Sequence, residues 1–229
     1  MTKVSNLVEE TIRTKSPIRG KQSRQRRGYE RTREKLINAA RSVLTERGLS
    51  ASVDEITQRA DVARGSFYYH FKSKGRLISL LVDDILAKLT QKMNDECSNK
   101  KGLESMLDGI IQVHIKFFSE RWEDFVLYYQ GRADLTLDDS YDGLEKPFLK
   151  YAKSIEKLLD ASISEPISDT RLRRVANAIA GFISGYYSFA SVASPEQDID
   201  KEFQSLRTAF VTSLARFARE AMPESQVKW

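Results

Sequence analysis

Cysteine is almost absent from this 229-residue chain: Cys97 stands alone, so no internal disulfide is available. His70 and His114 are the only histidines, which leaves too few nitrogen and sulfur donors for a structural zinc site. The same scarcity starves any Ser/His or Cys/His nucleophile, and no Gly-x-Ser-x-Gly, Walker or dinucleotide-binding glycine pattern occurs. An enzyme is therefore not expected, nor is a metal or cofactor. Long apolar runs are missing as well, which argues against a membrane span. Met1 to Arg13 alternates apolar and charged residues without the apolar core of a signal peptide, and a cytoplasmic protein is the expectation.

The charge that is present is unevenly placed. Of a net +5, the first 33 residues carry ten basic and three acidic side chains, so the rest of the chain is slightly negative. Such a basic end suits a polyanion; a solvated tail is the equal alternative. Residues 1–28 lack sustained periodicity and contain Ser16-Pro17, Gly20 and Arg24-Gln25-Arg26-Arg27, which reads as a flexible basic arm.

From Tyr29 the pattern becomes helical. Leu36, Ile37, Ala40, Val43 and Leu44 recur at three- and four-residue steps with Arg33, Glu34, Arg41 and Glu46 opposite, until Gly48 stops the helix. Ser52-Val53-Asp54-Glu55 then spells a capping box that opens a second helix. It runs to about Ala60, where Asp61 tolerates a left-handed turn. A short third helix follows from Arg64 to Phe71. Two short helices across a tight turn, braced by a longer one, is the helix-turn-helix plan.

The run from Val53 to Lys74, with its Gly65-Ser66-Phe67-Tyr68-Tyr69-His70-Phe71-Lys72-Ser73-Lys74, resembles the DNA-binding signature of the TetR family of bacterial transcriptional regulators. The likeness covers about Tyr29 to Leu80 and is architectural beyond that. Three positions depart from the common pattern: Asp61 for a turn glycine, Ala63 for a capping serine and Gly75 for an acidic residue. Of these, Ala63 forgoes a cap worth ~1 kcal/mol.

On this reading the third helix lies in the major groove. Arg64 reads guanine, Ser66 and Tyr68 meet bases and backbone, and Gly65 permits close approach. The resemblance implies phosphate contacts for Tyr69 and His70. Lys74, at the start of the fourth helix, is a further phosphate candidate, and Ser52 belongs to the same set. For Arg24, Arg26 and Arg27, a minor-groove arm and a solvated segment are held level.

An all-α protein of about nine helices is expected: an arm (1–28), a helix-turn-helix domain (29–75) and a larger helical domain (76–229). Leu77 to Leu89 open a long helix reaching about Cys97, followed by helices near 102–119, 122–131, 140–162, 169–192 and 199–221. Breaks fall at Gly131 to Asp139, Ser164-Glu165-Pro166 and Ser194-Pro195. Ala176, Ala180, Ser184 and Ser188 form a row of small residues beside Gly181 and Gly185, and Phe203, Leu206, Phe210, Leu214 and Phe217 form an apolar stripe. Intramolecular packing explains either alone. The family precedent implies a two-fold dimer through both, hence two readers on a pseudo-palindromic operator.

Rings crowd the middle helices. His114, Phe118, Trp122, Phe125, Tyr128 and Tyr186 are the expected lining of a cavity for an apolar or aromatic effector, with plain core as the bland alternative for each ring. The resemblance implies a repressor released from its operator by that effector. Competing accounts are a regulator with no small-molecule effector, a DNA-coating protein, and a hydrolase built on His114, for which no motif spacing speaks.

Overall fold

The computed structural model describes residues 17–134, 145–164, 166–190 and 199–220, with side chains for 24–131, 145–164, 166–187 and 204–220. Nine helices account for the described elements: α1 (Pro17–Arg47), α2 (Val53–Ala60), α3 (Arg64–His70), α4 (Lys74–Cys97), α5 (Leu103–Ser119), α6 (Trp122–Asp134), α7 (Glu145–Ala161), α8 (Asp169–Ala190) and α9 (Ile199–Arg219).

The first helix starts well before Tyr29, which corrects the flexible arm: 17–28 are helical. Pro17 at the first position has its φ already set for a helix. The Arg, Lys and Gln residues that follow are good helix formers, enough to carry Gly20 and Gly28 at a cost of about 1 kcal/mol each. Arg26 adds an i,i+4 pair to Glu30 at 2.9 Å. Leu36, Ala40, Val43 and Leu44 form the buried stripe of α1. Gly48, at φ 75°, ends the helix with its N–H donated to the Leu44 carbonyl.

The capping box of α2 is complete. The Ser52 hydroxyl accepts from the Glu55 amide at 3.2 Å and the Glu55 carboxylate accepts the Ser52 N–H at 2.7 Å. That contact depresses the Glu55 pKa, the backbone hydrogen bond being the larger cause. Asp61 takes φ 53°, ψ 54°, the one left-handed non-glycine among the described residues. Phe67 and Phe71 then drop into the core that α1, α2 and α4 share.

Behind this head, α4 runs as a spine against α5, α6 and α7, and α5 is enclosed further by α8 and α9. The α5 face of Leu107, Ile110, Ile111, His114, Phe117 and Phe118 is the centre of the larger core. No helix among the described residues is long and apolar enough to cross a membrane.

Candidate nucleic-acid interface

The turn at Asp61 sets the angle between α2 and α3. Its N–H reaches the Gln58 carbonyl at 3.2 Å and the Val62 N–H reaches Thr57 at 3.1 Å, satisfying the last carbonyls of α2. Ala63 supplies no side-chain cap to α3, as its residue type dictates. The short helix is held instead from beneath: Phe67 is fully buried and its ring meets Phe71 at 5.7 Å. Because those rings point inward, the opposite face points out. Tyr68 is 48% exposed and Tyr69 75%, and Arg64 and Gly65 are exposed beside them. A Cβ on Gly65 would meet nothing within 4 Å, so this face is open.

Arg64 rests on Asp54 at 2.6 Å, with its guanidinium 5.9 Å from the Tyr68 ring centroid. Both ends of the ion pair lie in solvent, so the pair is weak and the guanidinium leaves Asp54 at little expense. Ser66 is half-buried and Ser52 keeps an exposed hydroxyl within its capping box.

Two sequence candidates stand differently from expectation. The Lys74 ammonium turns back onto the loop before α2, donating to the Leu49 carbonyl at 2.7 Å and to Ala51 at 3.1 Å. It braces the head, with one N–H of the ammonium beyond these two bonds. His70 is half-buried under Tyr29, ring centroids 4.3 Å apart, and its Nδ1 is buried without a partner. Desolvation, with the Arg33 charge second, pulls its pKa below the ordinary imidazole value, so the ring is neutral at pH 7. A lone pair is less costly to strand than an N–H, which assigns the proton to Nε2. Arg24, Arg26 and Arg27 project from α1 into solvent.

The segment 36–80, which spans this head, matches the family model described as bacterial regulatory proteins, tetR family. The chain is 30% identical over 133 residues to the HTH-type transcriptional regulator YvdT of Bacillus subtilis (strain 168), covering 57% of this chain and 66% of YvdT. It is 30% identical over 105 residues to the HTH-type transcriptional regulator TtgW of Pseudomonas putida, covering 44% of this chain and 75% of TtgW. The chain belongs to the TetR family of bacterial transcriptional regulators. Its fold is shared by the transcriptional regulator FadR from Bacillus subtilis, solved in complex with stearoyl-CoA: TM-score 0.56, 19% identity, 83% of this chain and 99% of FadR.

In this TetR-family body the rings predicted to line a cavity are packed together. Phe118, Phe125 and Tyr128 are buried, with Phe118 5.5 Å from Phe125 and 5.1 Å from Tyr128. His114 is fully buried and satisfied: Nδ1 donates to the Ile110 carbonyl at 2.6 Å, and Nε2 accepts from the Tyr151 hydroxyl. Desolvation lowers its pKa to about 4, so it is neutral. Trp122 lies at the edge, 46% exposed and 5.2 Å from Phe125, and Tyr186 is half-buried against Tyr187. Tyr187, outside the predicted set, donates to the Ile115 carbonyl and sits 4.8 Å from Phe125. The clefts that the structure does show along α4 and α7 include none of the six predicted residues.

The helix pair α8–α9 needs a correction of register. Ala176, Ala180 and Ser184 face inward and are buried within the chain, with the Ser184 hydroxyl returned to the Ala180 carbonyl at 2.8 Å. Leu214 is buried too. The open small residues are one position along: Gly181 and Gly185, where an added Cβ would meet nothing within 4 Å. Beside them Phe182 stacks on Phe210 at 4.2 Å, Phe217 is half-buried and Leu206 is 57% exposed. Phe203 lies outside the residues whose side chains are described.

One interhelical contact escaped the sequence reading altogether. Arg41, assigned to the solvent face of α1, is half-buried and forks between Asp84 of α4, at 2.7 Å, and Asp124 of α6. The signal was faint: an Arg on a polar face, with its partners 43 and 83 residues away.

Proposed function

We propose that this TetR-family regulator is a two-fold dimeric repressor that holds a pseudo-palindromic operator through its paired α3 helices and releases it when an apolar or aromatic small molecule enters the body. The outward face of α3 carries the reading: Arg64, Gly65, Tyr68 and Tyr69 are all exposed to solvent while Phe67 locks the helix beneath them. Side chains so presented have a groove to fill and no role in the core. Tyr69, His70 through Nε2, and the Arg24, Arg26 and Arg27 row hold phosphates, and Lys74 supports the head that presents them.

The second copy docks on the Gly181, Gly185, Phe182 and Phe210 face, where bare backbone lets another helix approach closely. For the effector, the half-exposed Trp122 beside Phe125 is the natural opening into the ring cluster, whose polar tips are already matched and whose remaining surface is apolar. The stearoyl-CoA held by FadR supports a ligand with a long apolar portion. Entry has to part packed rings, so the ligand selects an expanded state of the body and shifts the readers off a spacing of ~34 Å, one turn of DNA.

Selection of bound fragments from the native genome is the test. Enrichment of short inverted repeats supports the regulator; uniform recovery regardless of sequence supports a DNA-coating protein instead.

A further inference from the structure

A cleft of about 560 Å³ lies between the DNA-binding head and α7, away from the aromatic cluster. Arg33 enters it from α1, Lys72 and Arg76 from the α3–α4 turn and the start of α4, and Lys146 and Lys150 from α7, against the single carboxylate of Asp83. Among the described residues none of these five cations stands within ion-pairing distance of a carboxylate; Arg33 leans on the Phe71 ring, 5.4 Å from its centroid. Three separate elements thus bring like charge to one concave surface without an acidic counterpart elsewhere in its lining. Convergence of that kind raises the local positive potential and draws anions to the cleft. The surplus of four positive charges calls for an occupant with more than one negative charge, and Phe71 and Pro147 give the cleft an apolar floor.

We propose that this cleft is a binding site for a small phosphate-bearing anion, distinct from the effector site of the body and from the groove-reading face of α3. Arg64 and Tyr68 lie outside its lining, His70 is the one residue it shares with the proposed phosphate contacts of α3, and a duplex is too broad to enter a space of this size. The occupant bridges the head to α7, two parts of the chain joined by no other ion pair among the described residues, and so biases their relative placement.

Isothermal titration of the full-length chain with inorganic pyrophosphate at low ionic strength tests the site. A saturable isotherm is expected, weakened at least tenfold in K146Q/K150Q. It should change less than twofold in K101Q/K157Q, which removes equal charge from exposed positions elsewhere. Both pairs are exposed, and matched melting curves confirm folding. No saturable heat, or equal weakening in both double variants, overturns the proposal. So does a K146Q/K150Q variant that has lost affinity for a random duplex, since the cations then serve the DNA backbone.

Discussion

Replacing Arg41 by Met should destabilise the chain more than any other single surface-type substitution in α1. The change keeps the aliphatic stem and deletes the charge, leaving the Asp124 carboxylate without its partner. Asp124 has a side-chain exposure of 11% and Arg41 of 18%, so this arm of the fork is nearly dry. Stranding a fully buried charge costs about 3–5 kcal/mol; with water still reaching the rim of this pair, about 2–3 kcal/mol is expected. The other arm should matter less. Asp84 is 41% exposed and also accepts Lys88 at 2.7 Å, so Asp84→Asn should cost about 0–1 kcal/mol.

The assay is urea unfolding of R41M, D124L and R41M/D124L, followed by circular dichroism at one fixed protein concentration because a dimer's stability depends on it. The double variant should recover about 1–2 kcal/mol relative to the sum of the singles. It should also bind operator with a smaller difference between effector-free and effector-bound states, because Asp124 shares α6 with Phe125 and Tyr128 of the ring cluster, Tyr128 one turn along on the same face. Additive costs, or a loss below about 0.5 kcal/mol in R41M, would refute a dry coupling between α1 and α6.

Four further outcomes follow from the same geometry. Lys74→Met should lower stability by about 1 kcal/mol through two unsatisfied loop carbonyls; a shallower salt dependence of DNA binding with unchanged melting would instead make it a phosphate contact. Arg64→Ala should relax preference at one base position by roughly tenfold while hardly touching binding to random DNA, read by competition among single-base operator variants. His114, with a folded pKa of about 4 against an ordinary 6.5, contributes stability that is intact above pH 6.5 and is lost as pH falls to 4, about 3 kcal/mol in all. The His114→Gln variant should lack that part of the pH slope, and an identical slope in both proteins would contradict it. Gly185→Leu should leave the monomer fold intact and shift sedimentation toward monomer; an unchanged dimer would move the interface elsewhere.

The head was legible in the sequence because its signals are local. Capping box, left-handed Asp61 and the Phe67/Phe71 anchor each act over a few residues, and each appears as the residue types dictate. Which small residues of α8 the chain itself covers was not legible, for the opposite reason. Ala180 and Gly181 are equally small, and periodicity finds a row of small residues without knowing which side of it α5 and α7 will cover. The start of α1 was misplaced because Gly20 and Gly28 argued for a loop, whereas helix continuity from Leu36 back to Pro17 prevailed. The Arg41 fork depends wholly on tertiary placement, and so does the packing of the ring cluster: sequence shows that rings are plentiful, not whether a void lies between them.

The single helix α1 joins these parts mechanically. Its 31 residues span about 46 Å. Along that rod come, in order, the exposed Arg24, Arg26 and Arg27, then Tyr29 over His70, then the Leu36–Leu44 stripe of the head core, and within that last stretch Arg41 on α6. A helix of this length does not bend for free, so a shift of α6 that drags Arg41 is carried along the whole rod. It arrives at the basic end as a displacement, and at Tyr29 as a change in the ring that covers His70. The exposed basic row and the Asp124 contact are therefore carried by one helix, which is the mechanical link that the proposed release of DNA would use.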